Sequence, residues 1–138
     1  MNTPVDLNRA QFEKFLTFIN TADRSLGEKI IAADVIFHAP TSSEPMRGLE
    51  GYMQTLQMMR GGFPDIQWSL EESIAEGDKI AARFTMHGKH TGIFFGIPPS
   101  GKEIRATAVN FYRFSEGMIV EEFGQPDLMG LMKQIGAA

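Results

Sequence analysis

Asp127 is the acid in this sequence best placed to move a proton. It stands between an extended run, Met118 to Gln125, and an apolar helical turn and a half carrying Leu128, Met129, Leu131, Met132 and Ile135. A carboxyl at such a junction can cap the helix. It can also sit in an apolar mouth, where desolvation raises its pKa toward useful acid–base chemistry. The two roles are compatible, and local sequence leaves both open.

His38, near the end of a short strand that stops at Pro40, is the second catalytic candidate because imidazole titrates near neutrality. Its plainer role is a histidine satisfied by backbone at a strand end. Gln125 shares strand parity with Asp127 and could hydrogen-bond a substrate carbonyl. Asn110 interrupts the apolar run Thr107 to Phe111, where an amide must find a partner, either a substrate oxygen or a neighbour across the sheet. Arg83 completes the substrate-binding candidates. It shares a strand face with Thr85 and His87, opposite Ile80, Ala82, Phe84 and Met86. His87 and His90 lie three apart and point to opposite faces of a regular strand, and the chain has no cysteine. No metal site is expected.

The elements that must position these groups change period once. Leu7 to Ala22 has Phe12, Phe15, Leu16 and Ile19 at helical spacing; a shorter helix capped by Asp23 or Ser25 runs through Ile30-Ile31-Ala32; Leu49 to Arg60 makes a third. Asp34 to Pro40 is a short strand. Beyond Gly61, Asp65 to Glu72, Lys79 to Lys89, Glu103 to Phe114 and Met118 to Gln125 suit strands, with hairpin turns at Glu76-Gly77-Asp78 and Ser115-Glu116-Gly117. The pattern is α+β: a curved antiparallel sheet around an N-terminal helical layer, expected as one domain over residues 1–138. The loop Gly92 to Pro99 is equally suited to a pocket lid or to packing on a sheet edge or second subunit.

Composition narrows the function. A net charge of −4 without a basic run argues against nucleic-acid or anionic-membrane partners. Eleven Phe and nine Met, against one Trp and two Tyr, fit either a Phe-rich core or a deformable pocket for a flat hydrophobic molecule. No apolar stretch approaches the roughly 20 residues of a membrane span, and the N-terminus lacks the features of a signal peptide. A cytoplasmic protein is expected.

Two blocks carry a family resemblance. Glu121-x-Phe123-x-x-x-Asp127 followed by Leu131-Met132-x-Gln134-Ile135-Gly136 resembles the C-terminal signature of the SnoaL-like polyketide (ester) cyclases, and Gly88 to Lys102 resembles their Gly-Thr-His…Pro-Pro-Thr-Gly-Lys hairpin. The resemblance implies an NTF2-like (cystatin-like) cone and a homodimer formed through the outer sheet face with Arg105, Phe111 and Arg113. It also implies cofactor-free acid–base chemistry of the intramolecular aldol type on a hydrophobic carbonyl-bearing molecule, with Asp127 as acid/base. His90 would organise the hairpin. Arg83-x-Thr85 lacks the aspartate used by limonene-epoxide-hydrolase-like relatives. The same scaffold also serves non-catalytic binding of hydrophobic molecules and other isomerase or hydrolase chemistries, so these remain alternatives.

Overall fold

The structure, a computed structural model, describes residues 3–137. Helix α1 spans Pro4–Thr21 and starts from a capping box in which the Thr3 side chain accepts from Asp6 N–H and Asp6 accepts from Thr3 N–H. Proline at the first helical position suits it, because that N–H has no intrahelical partner. Helix α2, Arg24–Ile30, is capped by Asp23, whose carboxylate accepts from Ser25 N–H at 3.0 Å. It ends two residues before the expected boundary: Ile31 is already extended and opens β1, Ile31–His38, where β-branched side chains pack well.

The remaining elements are β2 (Met46–Arg47), α3 (Gly48–Gly62), β3 (Gln67–Glu76), β4 (Lys79–Lys89), β5 (Glu103–Ser115), β6 (Met118–Pro126) and α4 (Leu128–Gln134). The strands form one six-stranded sheet in the order β2-β1-β6-β5-β4-β3. Its β3–β6 part is the expected antiparallel meander. The long chain excursion between β1 and β6 permits one addition, since β1 lies parallel to β6.

Aromatic contacts join the helical layer to the inner sheet face. Phe12 and Phe15 of α1 meet Tyr112 edge-on, with ring centroids 5.1 and 5.0 Å apart, and Phe37 meets Tyr52 of α3 at 5.0 Å. Helix α4 closes the free edge of β5. The Gln134 side chain accepts from Arg105 N–H at 2.7 Å and donates to the Arg105 carbonyl at 2.9 Å, continuing the ladder where β6 has already ended.

The Gly92–Pro99 loop packs back onto the C-terminal end of α3. Phe94 is buried against Phe63 at 5.1 Å, and Gly92 N–H donates to the Gly62 carbonyl at 3.1 Å. A Cβ on Gly92 would run into the Gly61 carbonyl, so glycine is needed there for close backbone approach. His90 anchors the loop: its Nδ1 accepts from Ser100 N–H at 3.1 Å and lies 2.9 Å from the Ser100 hydroxyl.

Candidate active site

Helices α1 and α3 leave a cavity of about 120 Å³ above the inner sheet face. Phe15, Phe37, Met58, Met59, Trp68, Phe84 and Met86 contribute to its wall, which is largely apolar. Phe and Met thus serve both the core and the cavity. A wider groove of about 810 Å³ lies between the start of α1 and the β-hairpin turns, but its carboxylates, Asp78 and Glu116, sit on exposed turns.

One carboxyl is buried in the cavity wall. Glu122 of β6 is 9% exposed, and the Tyr52 hydroxyl of α3 donates to its Oε1 at 2.6 Å. The Tyr112 hydroxyl lies beside Glu122, and Asn110 Nδ2 donates to the Tyr112 oxygen at 3.0 Å. Asn110 Oδ1 accepts from Gln125 backbone N–H at 3.1 Å. That donor fixes the orientation of the amide, because a backbone N–H can only donate.

Burial pushes Glu122 from its ordinary 4.5 up to about 7, outweighing the opposite pull of the Tyr52 and Tyr112 hydroxyls. Desolvation, followed by the neighbouring Glu122 charge, holds Tyr52 and Tyr112 well above 10. At neutral pH the phenols therefore act as donors, and the carboxyl is the group able to exchange a proton.

A β-bulge puts Glu122 there. Arg113 pairs with Glu121 but Phe114 pairs with Ile119, so Val120 is an extra residue on β6. It reverses strand parity: Ile119 faces the core before the bulge, and Glu122 and Gly124 face the cavity after it. Glu121, Phe123 and Gln125 consequently belong to the outer face.

The sequence-derived candidates fall in different places. Asn110 lines the cavity. His38 belongs to the lining, yet its imidazole stacks on outer-face Phe123, with ring centroids 4.2 Å apart, and its Nε2 lies 3.0 Å from Glu121 Oε2. That hydrogen bond, then Arg113 beside it, holds the Glu121 pKa below the ordinary carboxylate value. Gln125 is exposed on the outer face. Arg83 is likewise exposed and pairs with Glu72 at 3.1 Å.

Asp127 is exposed and absent from the cavity wall; its Oδ1 accepts from Gly130 N–H at 2.9 Å as the cap of α4. A Cβ on Gly130 would collide with that carboxylate, so two residues of the C-terminal motif serve one cap. These positions correct the expected grouping, since Asp127 and the His38 ring do not meet in one cavity. Asp127→Ala should lower unfolding free energy by about 1 kcal/mol in urea titration and leave cavity-ligand affinity unchanged. A marked loss of affinity would restore Asp127 to the site.

Sequence reasoning missed Glu122, Tyr52 and Tyr112. The doublet Glu121-Glu122 within a strand was the available signal, since its two carboxyls must point to opposite faces. His87 lies 3.2 Å from Ser69 Oγ, whereas His90 is clamped by Ser100. Among the described residues no group of three His, Cys, Asp or Glu side chains is arranged to hold a metal ion.

Residues 10–135 match the family model of the SnoaL-like polyketide cyclases. Aklanonic acid methyl ester cyclase DnrD of Streptomyces peucetius is 24% identical, over 99% of this chain and 92% of that protein. Nogalonic acid methyl ester cyclase of Streptomyces nogalater is 27% identical, over 64% and 67% respectively. Among solved structures, IdmH of Streptomyces antibioticus, a candidate polyketide cyclase, superposes with a TM-score of 0.84 at 26% identity, covering 94% of this chain and 98% of its own. A candidate SnoaL-like cyclase from Jannaschia sp. CCS1 reaches 0.86 over 100% and 98%; at 22% identity it speaks for the fold alone. With its helices on the inner face of a curved, open six-stranded sheet, the chain has the NTF2-like α+β fold and belongs to the SnoaL-like polyketide cyclase family.

Proposed function

We propose that this chain is a cofactor-free cyclase in which Glu122, rather than Asp127, is the acid/base. The observation that carries this reading is a carboxyl buried in an apolar cavity with a pKa raised to about 7. As carboxylate, it removes a proton from a carbon next to a substrate carbonyl. The resulting enolate carbon bonds to a second carbonyl carbon of the same molecule, and the π pair moves to oxygen as an alkoxide. The Glu122 carboxylic acid returns the proton to that alkoxide. Atoms and charge balance without a co-reactant.

Tyr52 positions the carboxyl through Oε1, and Asn110 positions Tyr112. Aklanonic acid methyl ester and nogalonic acid methyl ester are the first compounds to assay, because the similar cyclases act on them. Conversion by the unmodified protein supports the reading. Saturable binding of several such esters without conversion of any would favour the hydrophobic-ligand binding role.

The homodimer is part of the same proposal. Phe111 pairs with Phe123 across β5 and β6 and with Ala81 across β5 and β4, while Ala81 pairs with Ile74. Phe111 and Phe123 are each 47% exposed and Ile74 is 70% exposed, forming an outer apolar stripe. Arg113, held by Glu121 at 3.1 Å, flanks it; Arg105 belongs to the same strand. Light scattering should find a dimer, and Phe111→Asp should shift it to monomer by weakening association at least 30-fold, about 2 kcal/mol for one buried Phe. A monomeric parent would remove this face from the proposal. No described helix is long and apolar enough to cross a membrane, and cytoplasmic residence is proposed with the soluble enzyme role.

A further inference from the structure

Gly124 leaves a recess in the cavity wall directly beside Glu122. Its backbone is outside the left-handed region, so conformation does not demand glycine. A Cβ built there would have three nearest neighbours, all oxygens: the His38 backbone oxygen at 3.5 Å, Glu122 Oε2 at 3.6 Å and Asn110 Oδ1 at 3.7 Å. These are ordinary van der Waals separations, so space does not demand glycine either. What glycine provides is room for about one ligand atom, ringed by acceptors.

We infer that this recess is a specificity subsite for a hydroxyl carried on a flat, apolar frame, such as a phenol or an enol. The inference rests on the Glu122 cavity reading and extends it to the class of substrate. Asn110 Oδ1 has accepted one hydrogen bond, from Gln125 N–H, and retains a second lone pair. Tyr52 occupies the other Glu122 oxygen, Oε1. A ligand O–H can donate to the Glu122 carboxylate, and its oxygen can accept when Glu122 is protonated. While Glu122 is the carboxylate, a carbonyl or ether oxygen would face acceptors with no proton to offer. A methyl group would displace water and leave buried oxygens unpaired, which is the discrimination a polar site makes well. The aromatic and thioether wall favours a flat ring over an alkylammonium ion, which would lose its hydration there.

The test uses 4-methylphenol and 1,4-dimethylbenzene, matched in shape and differing at the hydroxyl. Both suit a cavity of about 120 Å³, close to the ~150 Å³ cavity that accepts benzene in another protein. Binding is read from the ¹³C-methyl resonances of Met58, Met59 and Met86, which line the cavity. The unmodified protein should bind the phenol about tenfold more tightly. Gly124→Ala fills the recess with one methyl and should retain the unfolding temperature while reducing that preference to about twofold or less, mainly by weakening phenol binding.

Equal affinities in the unmodified protein would overturn the subsite while leaving the Glu122 cavity intact. So would an undiminished preference in folded Gly124→Ala. If neither compound shifts the three methionines, the subsite fails together with the cavity reading. The comparison within the unmodified protein decides the matter even if the variant does not fold.

Discussion

Glu122→Gln is expected to lower turnover of a cyclisable ester by about 10²–10⁴-fold, the effect of losing a positioned general acid/base. Glutamine preserves the side-chain volume, and its carbonyl can still accept from Tyr52, so the cavity should persist. It cannot take a proton from carbon and return it to an alkoxide. The parent's kcat/KM should rise with pH through a limb near 7, where burial places the Glu122 pKa, and the variant should lack that limb. Asp127→Asn, at an exposed helix cap, should leave turnover within about threefold, a change below about 1 kcal/mol. Undiminished turnover in Glu122→Gln would remove this residue from the chemistry.

The second large effect concerns stability. Folding raises the Glu122 pKa from its ordinary 4.5 to about 7. Between those values the native state retains a proton that the unfolded chain has released. Native stability therefore falls as pH rises through this window and levels off above it. At about 1.4 kcal/mol per pKa unit, the contribution is about 3 kcal/mol.

Glu121 acts in the other direction. Its lowered pKa gives stability that is present above the ordinary carboxylate value and lost as pH falls through its folded value. Its window therefore lies on the acid side. Urea unfolding at pH 5 and pH 8 separates the two residues. The parent minus Glu122→Gln difference should change by about 3 kcal/mol, with the variant relatively more stable at pH 8. A pH-independent difference would mean that Glu122 is not held in a desolvating environment.

The architecture was readable because periodicity reports burial. Phe12, Phe15 and Ile19 mark the buried side of α1, and Ile80, Ala82, Phe84 and Met86 mark the inner face of β4. The same alternation sets Arg83 opposite buried Phe84 and Met86, and His38 opposite buried Val35 and Phe37, although both were expected at the site. Gln134 shows the opposite case, because its role at the β5 edge depends on where β6 ends.

Glu122 was hidden for a similar reason. Plain alternation from Ile119 would send Glu121 inward and Glu122 outward, and the one-residue bulge at Val120 exchanges them. Tyr52 and Tyr112 meet Glu122 from α3 and β5, a convergence that no local spacing encodes. Asp127 drew attention because its motif is conspicuous, whereas its geometry with Gly130 serves a cap.

The most direct measurement is the titration of side-chain carboxyls in protein labelled with ¹³C at glutamate Cδ, with Glu122→Gln used for assignment. If Glu122 is the buried acid/base, one resonance titrates near pH 7 and is missing from the variant. Midpoints at or below about 5 for every glutamate, the ordinary range for this side chain, would contradict that role.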